Sequence, residues 1–252
     1  MPDIKLICAY SLGEPDKTFI VCDLNDNRDF LDPLILFKQP LFDPHRMNKE
    51  GLYAIGGEIT PQSLETAYKW GIFPWFAYKF CEEVYWYCPE ERFVIFPEKF
   101  HASHSLRNLM NKKRYQITVN KAFEQVIHNC RHVNKRDDDE SAWLSDEIEN
   151  CFIELNKKGF AKSIEVWEGE ELIGGFYGFF YKGMFEGDSM FSLKPSASQI
   201  GLLELCRNPY IDGVKIKLID TQFETPTFKR LGGEYISYQK YREIMNLNAE
   251  RI

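Results

Sequence analysis

The last third of the chain has the clearest alternation of apolar and polar positions. Three apolar runs, 163–168, 172–181 and 184–192, are separated by short turns that contain Gly169 and Gly183. Short runs of this kind joined by glycine turns are typical of antiparallel strands. The pattern therefore predicts a three-stranded meander.

A helix and a further strand follow this meander. Residues 197–208 have the apolar spacing of an amphipathic helix, and residues 214–219 alternate with the period of two that a half-buried strand requires. A meander, a helix and a returning strand predict an α+β sandwich. In such a sandwich, Asp188 of the third strand and Asp220 after the last strand could approach one cleft.

The last strand ends with an unusual pair of polar residues. Side chains at i and i+2 point to the same side of a strand, so Asp220 and Gln222 continue the apolar row of Val214, Ile216 and Leu218. Burying a polar group without a partner costs about 2–7 kcal/mol. The pair therefore either caps a neighbouring loop or faces a ligand.

Two helices are predicted earlier in the chain by their capping residues. Thr60 and Pro61 are suited to the N-cap and first position of a helix that Gly71 ends. Ser145 is suited to the N-cap of a second helix, which ends at Gly159.

An apolar cluster, residues 72–76, follows the first of these helices. Pro74 prevents the helix from continuing, so Phe73, Trp75 and Phe76 are held on a turn. They either fill a core or line a ligand site.

Composition indicates an ordinary globular protein with many aromatic residues. The chain has 252 residues, 44% hydrophobic and 27% charged, which is enough for one large domain or two small ones. Its 7 Cys include no C-x-x-C pair, and its N-terminus has no basic segment followed by a long apolar run. We therefore expect reduced thiols, no membrane span and a cytoplasmic location.

Charge is unevenly distributed along the chain. The net charge of −7 argues against a surface that binds duplex DNA. Residues 99–123, however, contain no Asp or Glu. The basic residues of this segment are Lys99 and Lys121 near its ends and, between them, Arg107, Lys112, Lys113 and Arg114. The four inner residues lie on or directly after a predicted helix, and they form either a solvated face or a contact surface for a phosphate backbone.

One pair of histidines has a spacing that metal sites also use. His128 and His132 are four residues apart with Cys130 between them. A fourth ligand is not evident and the segment is polar. We therefore expect solvated helix histidines and no metal site.

Six segments, taken together, resemble one protein family. From about Leu41 to about Tyr241 the chain resembles the leucyl/phenylalanyl-tRNA protein transferases, with the segments in that family's order and at its spacing. The segments are GLYAIGGEITPQSLETAYKWGIFPWF, CPEERFVIFPEKFHASHSL, AWLSDEI, SIEVWEGEELIGGFYG, GDSMFS and LIDTQ. Six segments in register are specific, although each alone is common.

The resemblance implies a fold and a reaction. The fold is a small N-terminal domain, residues 1–91, of which residues 1–40 lie outside the resemblance, followed by an acetyltransferase-like (GNAT-like) α/β sandwich, residues 92–252. The reaction moves leucine or phenylalanine from Leu-tRNA or Phe-tRNA to the N-terminal α-amine of proteins that begin with Lys or Arg, which marks them for degradation. We expect no cofactor, no membrane partner and no DNA.

The resemblance also implies site residues. The family's Asp-x-Gln motif matches Asp220, whose charge would polarise or accept the proton, and Gln222, which would orient the attacking amine. Asp188 could bind the cationic acceptor N-terminus. Residues implied to lie near the aminoacyl group or the acceptor peptide are Trp75, Trp143, Phe176 and Met190.

The chain departs from the family pattern at several positions. Asp188 replaces the usual Glu, Thr221 replaces a Cys, Lys162 replaces a frequent His, and Thr227 and Arg230 stand where a His and a Ser are usual. These departures leave the Asp-x-Gln motif in place and bear on substrate orientation and acceptor choice.

Two other functions are compatible with the predicted fold. One is a conventional acyl-CoA N-acyltransferase, which the lack of a Gly-rich loop between a strand and the helix disfavours. The other is a non-catalytic protein that binds tRNA ends.

Overall fold

The computed structural model describes residues 6–11, 14–23, 51–55, 58–75, 84–111, 114–133 and 144–245. The chain divides into two compact units, residues 1–90 with 140–151 and residues 91–139 with 152–252. Among the described residues, we find no helix whose length and apolar character would let it cross a membrane.

The first unit is built on a five-stranded sheet. Its strands are β1 (Leu6–Ser11), β2 (Glu14–Asp23), β3 (Leu52–Ile55), β4 (Phe73–Pro74) and β5 (Tyr85–Tyr87). The order across the sheet is β1-β2-β3-β5-β4, with β2 and β3 parallel and the other neighbours antiparallel.

A capped helix, α1 (Pro61–Tyr68), belongs to the same unit. Ser63 N–H donates to the Thr60 hydroxyl at 3.0 Å, and Thr60 N–H donates to the Ser63 hydroxyl at 2.9 Å. This reciprocal pair is a capping box, which confirms the predicted start. Gly71 then adopts a φ of 71° and turns the chain so that Phe73 is buried.

The second unit is built on a seven-stranded mixed sheet. Its strands are β6 (Glu91–Ile95), β7 (Tyr115–Val119), β8 (Ala161–Glu168), β9 (Glu171–Tyr181), β10 (Met184–Ser192), β13 (Leu218–Asp220) and β14 (Glu234–Ser237). The order is β14-β6-β13-β10-β9-β8-β7. Within it β10 and β13 are parallel, and every other neighbouring pair is antiparallel. The predicted meander is confirmed as β8-β9-β10, and with the helices below it confirms the α+β class.

The other α-helices within the described ranges are α2 (His104–Asn111), α3 (Phe123–His132), α4 (Asp146–Lys157), α5 (Ala197–Arg207), α6 (Pro226–Arg230) and α7 (Tyr238–Ile244). Helix α4 starts with Ser145 accepting from Ile148 N–H at 3.3 Å, as its cap predicts. The predicted helix α5 is confirmed and packs on β8 and β9. It approaches so closely that a Cβ on Gly174 would lie 2.5 Å from the Cβ of Ala197.

The prediction of one strand over 214–219 is wrong. Val214 and Lys215 form β12, which pairs with β11 (Tyr210–Ile211) in a separate ribbon, and Val214 is 44% exposed. The chain changes partners at Ile216, and only β13 enters the large sheet. Strand β13 lies between β6 and β10 in this sheet. Its residues Leu218, Ile219 and Asp220 are all buried, so the side chains on both faces of this strand are covered and burial does not alternate along it.

Candidate active site

A cleft opens where the parallel strands β10 and β13 separate. Glu186 and Asp220 are their last paired residues. Directly after this pair, β10 has a bulge at Asp188, because Gly187 faces Gly178 of β9 and Ser189 faces Tyr177. A bulge bends a strand and redirects its side chains, which suits a site at this point.

The cleft has a volume of about 450 Å³. Its lining residues include Asp188 and Met190 from β10, Phe176 from β9 and Gln222 after β13. Phe176 and Met190 face one another on neighbouring strands. The structure thus brings four of the residues that the sequence singled out into one cleft.

Asp220 does not line this cleft but lies buried beside it with 0% exposure. One oxygen, Oδ2, accepts hydrogen bonds from Nε of Arg92 at 3.0 Å and from Nη2 of the same side chain. The other oxygen, Oδ1, accepts from the backbone N–H of Gln222 at 2.8 Å. Both carboxylate oxygens are therefore engaged, and Asp220 fixes the turn that carries Gln222.

Gln222 is held in a strained backbone conformation. Its φ is 63°, in the left-handed region, which costs a residue with a side chain about 1–2 kcal/mol. Three hydrogen bonds offset this cost: its N–H donates to Asp220, its carbonyl accepts from Phe93 N–H at 3.3 Å, and its Nε2 donates to Glu186 Oε1 at 3.2 Å. Strain kept at a cleft is common in functional sites.

Glu186 and Arg92 are members of the site that sequence reasoning missed. Both are 0% exposed, and Arg92 Nη2 donates to Glu186 Oε1 at 3.1 Å. The Arg92 guanidinium also lies 5.1 Å from the ring centroid of Tyr241, at cation–π distance. The available signal was the presence of charged residues, Arg92 and Glu186 among them, within two otherwise apolar strands, ERFVI and MFEGDSMFS.

The pKa of the Glu186 carboxyl is raised well above its usual value. Burial is the main cause, because it penalises the charged form, and the negative charges of Asp220 and Asp188 act in the same direction. Arg92 and the hydrogen bond from Gln222 oppose the shift. Since burial outweighs them, Glu186 retains its proton at pH values where an exposed Glu is ionised.

Close approach of two backbones keeps this arrangement in place. A Cβ on Gly178 would lie 1.9 Å from the carbonyl oxygen of Glu186, which only glycine avoids. The absence of a side chain at this position lets β9 and β10 meet immediately before the bulge.

The positions that depart from the family pattern are divided between the cleft and its surroundings. Thr221 and Thr227 line the cleft, and Thr227 also lines a neighbouring pocket of about 310 Å³ together with Arg230. Lys162 is buried elsewhere and pairs with Asp212 at 2.7 Å.

Other predicted contacts belong to the first unit or lie outside the described residues. Trp75 belongs to the first unit, where it is 37% exposed and packs edge-on against Tyr87. Trp143, Lys112 and Lys113 lie outside the described residues.

Two of the four predicted basic contacts are described. Arg107 on α2 is exposed, and within the described ranges it has no ion-pair partner. It lines a shallow pocket of about 240 Å³ together with Arg207. Arg114 is already engaged, since its Nε lies 3.1 Å from Glu168 and its guanidinium lies 4.8 Å from the ring centroid of Tyr115.

Comparison with known proteins identifies the family of this chain. The model of the leucyl/phenylalanyl-tRNA protein transferase matches residues 94–246, and the model of its N-terminal domain matches residues 57–90. Among solved structures, FemX has a TM-score of 0.43 and 10% identity over 96% of this chain and 86% of its own, a likeness too weak to bear on function.

Two bacterial relatives carry the same description. The leucyl/phenylalanyl-tRNA–protein transferase of Flavobacterium johnsoniae is 38% identical over 83% of this chain and 97% of its own length. The one from Hydrogenovibrio crunogenus is 38% identical over 80% of this chain and 77% of its own. The chain belongs to the leucyl/phenylalanyl-tRNA protein transferase family.

Proposed function

We propose that this protein transfers leucine or phenylalanine from Leu-tRNA or Phe-tRNA to the N-terminal α-amine of proteins that begin with Lys or Arg. The observation that carries the proposal is one cleft, in a chain that belongs to this family. The cleft combines an apolar wall formed by Phe176 and Met190 with the amide of Gln222, which a hydrogen bond to Glu186 holds in place. The transfer marks its protein substrate for degradation, and it takes place in the cytoplasm, where tRNAs are charged.

We also propose that residues 1–91 form an N-terminal domain and residues 92–252 an acetyltransferase-like catalytic domain. The proposal is supported by a mixed sheet whose cleft opens at the separation of its parallel strands β10 and β13. A second support is that one family model ends at residue 90 and the other begins at residue 94.

The reaction needs positioning more than strong acid–base catalysis. An α-amine has an ordinary pKa of about 7.7–8.0, so part of it is neutral near pH 7, and the aminoacyl ester is already activated. The amine nitrogen attacks the ester carbonyl carbon, the C–O bond to the ribose breaks, and the proton lost by the amine is finally taken up by the leaving ribose oxygen. No cofactor is needed for these steps.

The cleft residues have separate roles in this proposal. Gln222 orients the amine, since an amide is too weak a base to remove its proton. Asp188, a half-buried carboxylate in the cleft, attracts the cationic acceptor N-terminus. Asp220 acts as a positioning charge, because both of its oxygens are engaged by Arg92 and Gln222.

An apolar pocket for the transferred amino acid completes the cleft. Phe176 packs edge-on against Phe185, with ring centroids 5.6 Å apart, and presents a rigid wall. Met190 is flexible and adapts to both a branched and an aromatic side chain. Trp75 and Trp143 stay proposed substrate contacts through the family resemblance.

We propose that Arg107, Lys112, Lys113 and Arg114 contact tRNA phosphates. The support is the exposed position of Arg107, which has no ion pair within the described ranges, in a segment without acidic residues. Arginines that are not already neutralised are available to displace counterions from a nucleic acid.

The decisive experiment uses the whole protein, radiolabelled Leu-tRNA or Phe-tRNA, and a peptide that begins with Arg or Lys. We expect labelled peptide, and none from the same peptide with an acetylated N-terminus. Tight tRNA binding without labelled peptide would indicate a non-catalytic tRNA-end binding protein. Label transferred from acetyl-CoA instead would indicate an acyl-CoA N-acyltransferase.

A further inference from the structure

We infer that Glu186 is a positioning residue for the transfer reaction, which fixes the amide of Gln222 so that its carbonyl oxygen faces the acceptor amine. The inference rests on the proposed function and deepens it. It concerns a residue that does not line the cleft, whereas Gln222, through which it acts, does.

The orientation of the Gln222 amide follows from the donors around Glu186. Oε1 of Glu186 accepts from Arg92 Nη2 at 3.1 Å, and a guanidinium can only donate. The same oxygen therefore also acts as an acceptor for Gln222. The side-chain NH2 group of Gln222 must then point towards Glu186, and its Nε2 donates to Glu186 Oε1 at 3.2 Å. Oε1 of Gln222 is left as the acceptor for an N–H of the attacking amine.

The charges around Glu186 bear on whether its carboxyl is protonated. Arg92 is the cation that contacts the carboxyls of Glu186 and Asp220, and the charge of Asp188 also acts on Glu186. Ionisation of all three carboxyls would leave an excess of two negative charges, at a largely buried point. A proton on Glu186 removes one of them, and it lies on Oε2, because Oε1 already accepts two hydrogen bonds. Within the described residues Oε2 has no hydrogen-bond partner.

Neutral Glu186 combines two properties, whereas an ionised glutamate or an apolar residue has only one of them. It accepts the hydrogen bonds from Arg92 and Gln222, and it adds no further negative charge beneath a cleft in which an oxyanion develops. A glutamine at this position shares both properties. A methionine has a similar shape and supplies no comparable acceptor, so it leaves the Gln222 amide free to rotate.

These two substitutions, with Gln222→Asn as a second background, test the inference. Steady-state transfer to the Arg peptide gives kcat and both KM values, and the thermal midpoint Tm reports folding. We expect Glu186→Gln to keep kcat within about threefold and Glu186→Met to lower it at least about 10-fold, with KM for aminoacyl-tRNA unchanged. In the Gln222→Asn background, Glu186→Met should lower kcat by less than about twofold, because the amide that it positions is already displaced.

The pH dependence of Tm gives an independent readout. The groups that face Glu186 are Arg92, Asp220, Asp188, Gln222 and Tyr241. Because the pKa of Glu186 is higher in the folded state than in the unfolded state, its contribution to stability is fully present at pH values below the ordinary Glu pKa. This contribution is lost as the pH rises through the raised pKa of the folded state. Tm of the wild type should therefore fall with rising pH relative to Tm of Glu186→Gln.

Each outcome of the experiment decides the question. Equal losses from Glu186→Met in both backgrounds, or a Glu186→Gln variant as slow as Glu186→Met, overturn the inference while the proposed function stands. If Glu186→Met does not fold, Glu186→Gln decides alone: kcat within about threefold and a flattened Tm profile support the inference, and any other result overturns it. A wild type that transfers nothing overturns the proposed function and the inference together.

Discussion

Two buried glutamates in the same sheet, Glu165 on β8 and Glu186 on β10, have different surroundings. Both are 0% exposed. The oxygens of Glu165 accept four hydrogen bonds at 2.5 to 3.2 Å. The donors are the backbone N–H groups of Lys121 and Ala122 and the hydroxyls of Ser163 and Thr118.

Within the part of the chain that the structure describes, Glu186 accepts two hydrogen bonds, both on Oε1, and both donors are long side chains. One of these donors, Gln222, lines the cleft. The comparison indicates that a buried carboxyl whose donors include two backbone N–H groups holds a turn in place, whereas one whose donors are long side chains at a cleft controls how those side chains are presented. Variants of the two glutamates and of the cleft residues test this division of roles.

The largest expected effect is at Gln222. Gln222→Asn keeps an amide and a residue type that tolerates the left-handed conformation, but it withdraws the amide by about one C–C bond, about 1.5 Å. Misplacement on this scale costs about 10²-fold in rate, so kcat should fall by about that factor while Tm changes little. Steady-state kinetics with the Arg peptide measure it, with the exposed Gln116→Asn as the control. A kcat within a few-fold of wild type would contradict the role of Gln222.

The next effect tests the other side of the comparison. Glu165→Ala leaves four donors without an acceptor and should lower the free energy of unfolding by about 3 kcal/mol. Urea unfolding measures this loss. The kcat per folded molecule should stay at the wild-type value, and Thr118→Val, which removes one of the four donors, should destabilise the protein by a smaller amount. A fall in kcat at full folding would show that the two glutamates do not differ in role.

Asp188 extends the comparison to a carboxylate within the cleft. Asp188→Asn removes the charge that attracts the acceptor N-terminus, so KM for the peptide should rise about 10-fold, the scale of one lost charge-assisted hydrogen bond. KM for aminoacyl-tRNA should not change. Asp188→Glu, which restores the usual family residue, should not simply improve the enzyme, because its surroundings have diverged too. If Asp188→Asn lowers only Tm, the acceptor is bound elsewhere.

The smallest effect is expected at the apolar wall. Met190→Ala removes three non-hydrogen atoms and enlarges the pocket, so it should change the ratio of leucine to phenylalanine transfer by several-fold, because an apolar pocket discriminates between side chains by size only weakly. Competition between Leu-tRNA and Phe-tRNA measures the ratio. Leu193→Ala, at a residue that is 49% exposed and outside the cleft lining, is the control. An unchanged ratio with both rates preserved argues against a pocket role for Met190.

Local signals predicted the elements of this fold well. The meander, helix α5 and the two helix starts at Thr60 and Ser145 depend on neighbouring residues, and all are confirmed. The strand over 214–219 was mispredicted because its residues change hydrogen-bond partners halfway along, which depends on distant strands.

The site was predicted only in part, for a similar reason. Sequence reasoning singled out Asp188, Gln222, Phe176 and Met190, which the structure places in one cleft. The network behind them depends on the strand order β6-β13-β10, which brings Arg92 next to residues 94 and 128 positions away. No pattern within a single strand specifies that order.

Gly178 gives the site a dependence that its chemistry alone does not suggest. The residue carries no functional group, yet any Cβ there would press on the carbonyl oxygen of Glu186 at 1.9 Å. The displacement would be passed through Glu186 to the amide of Gln222. In a saturation-mutagenesis map of transfer activity, position 178 would therefore tolerate as few substitutions as the residues that contact substrate.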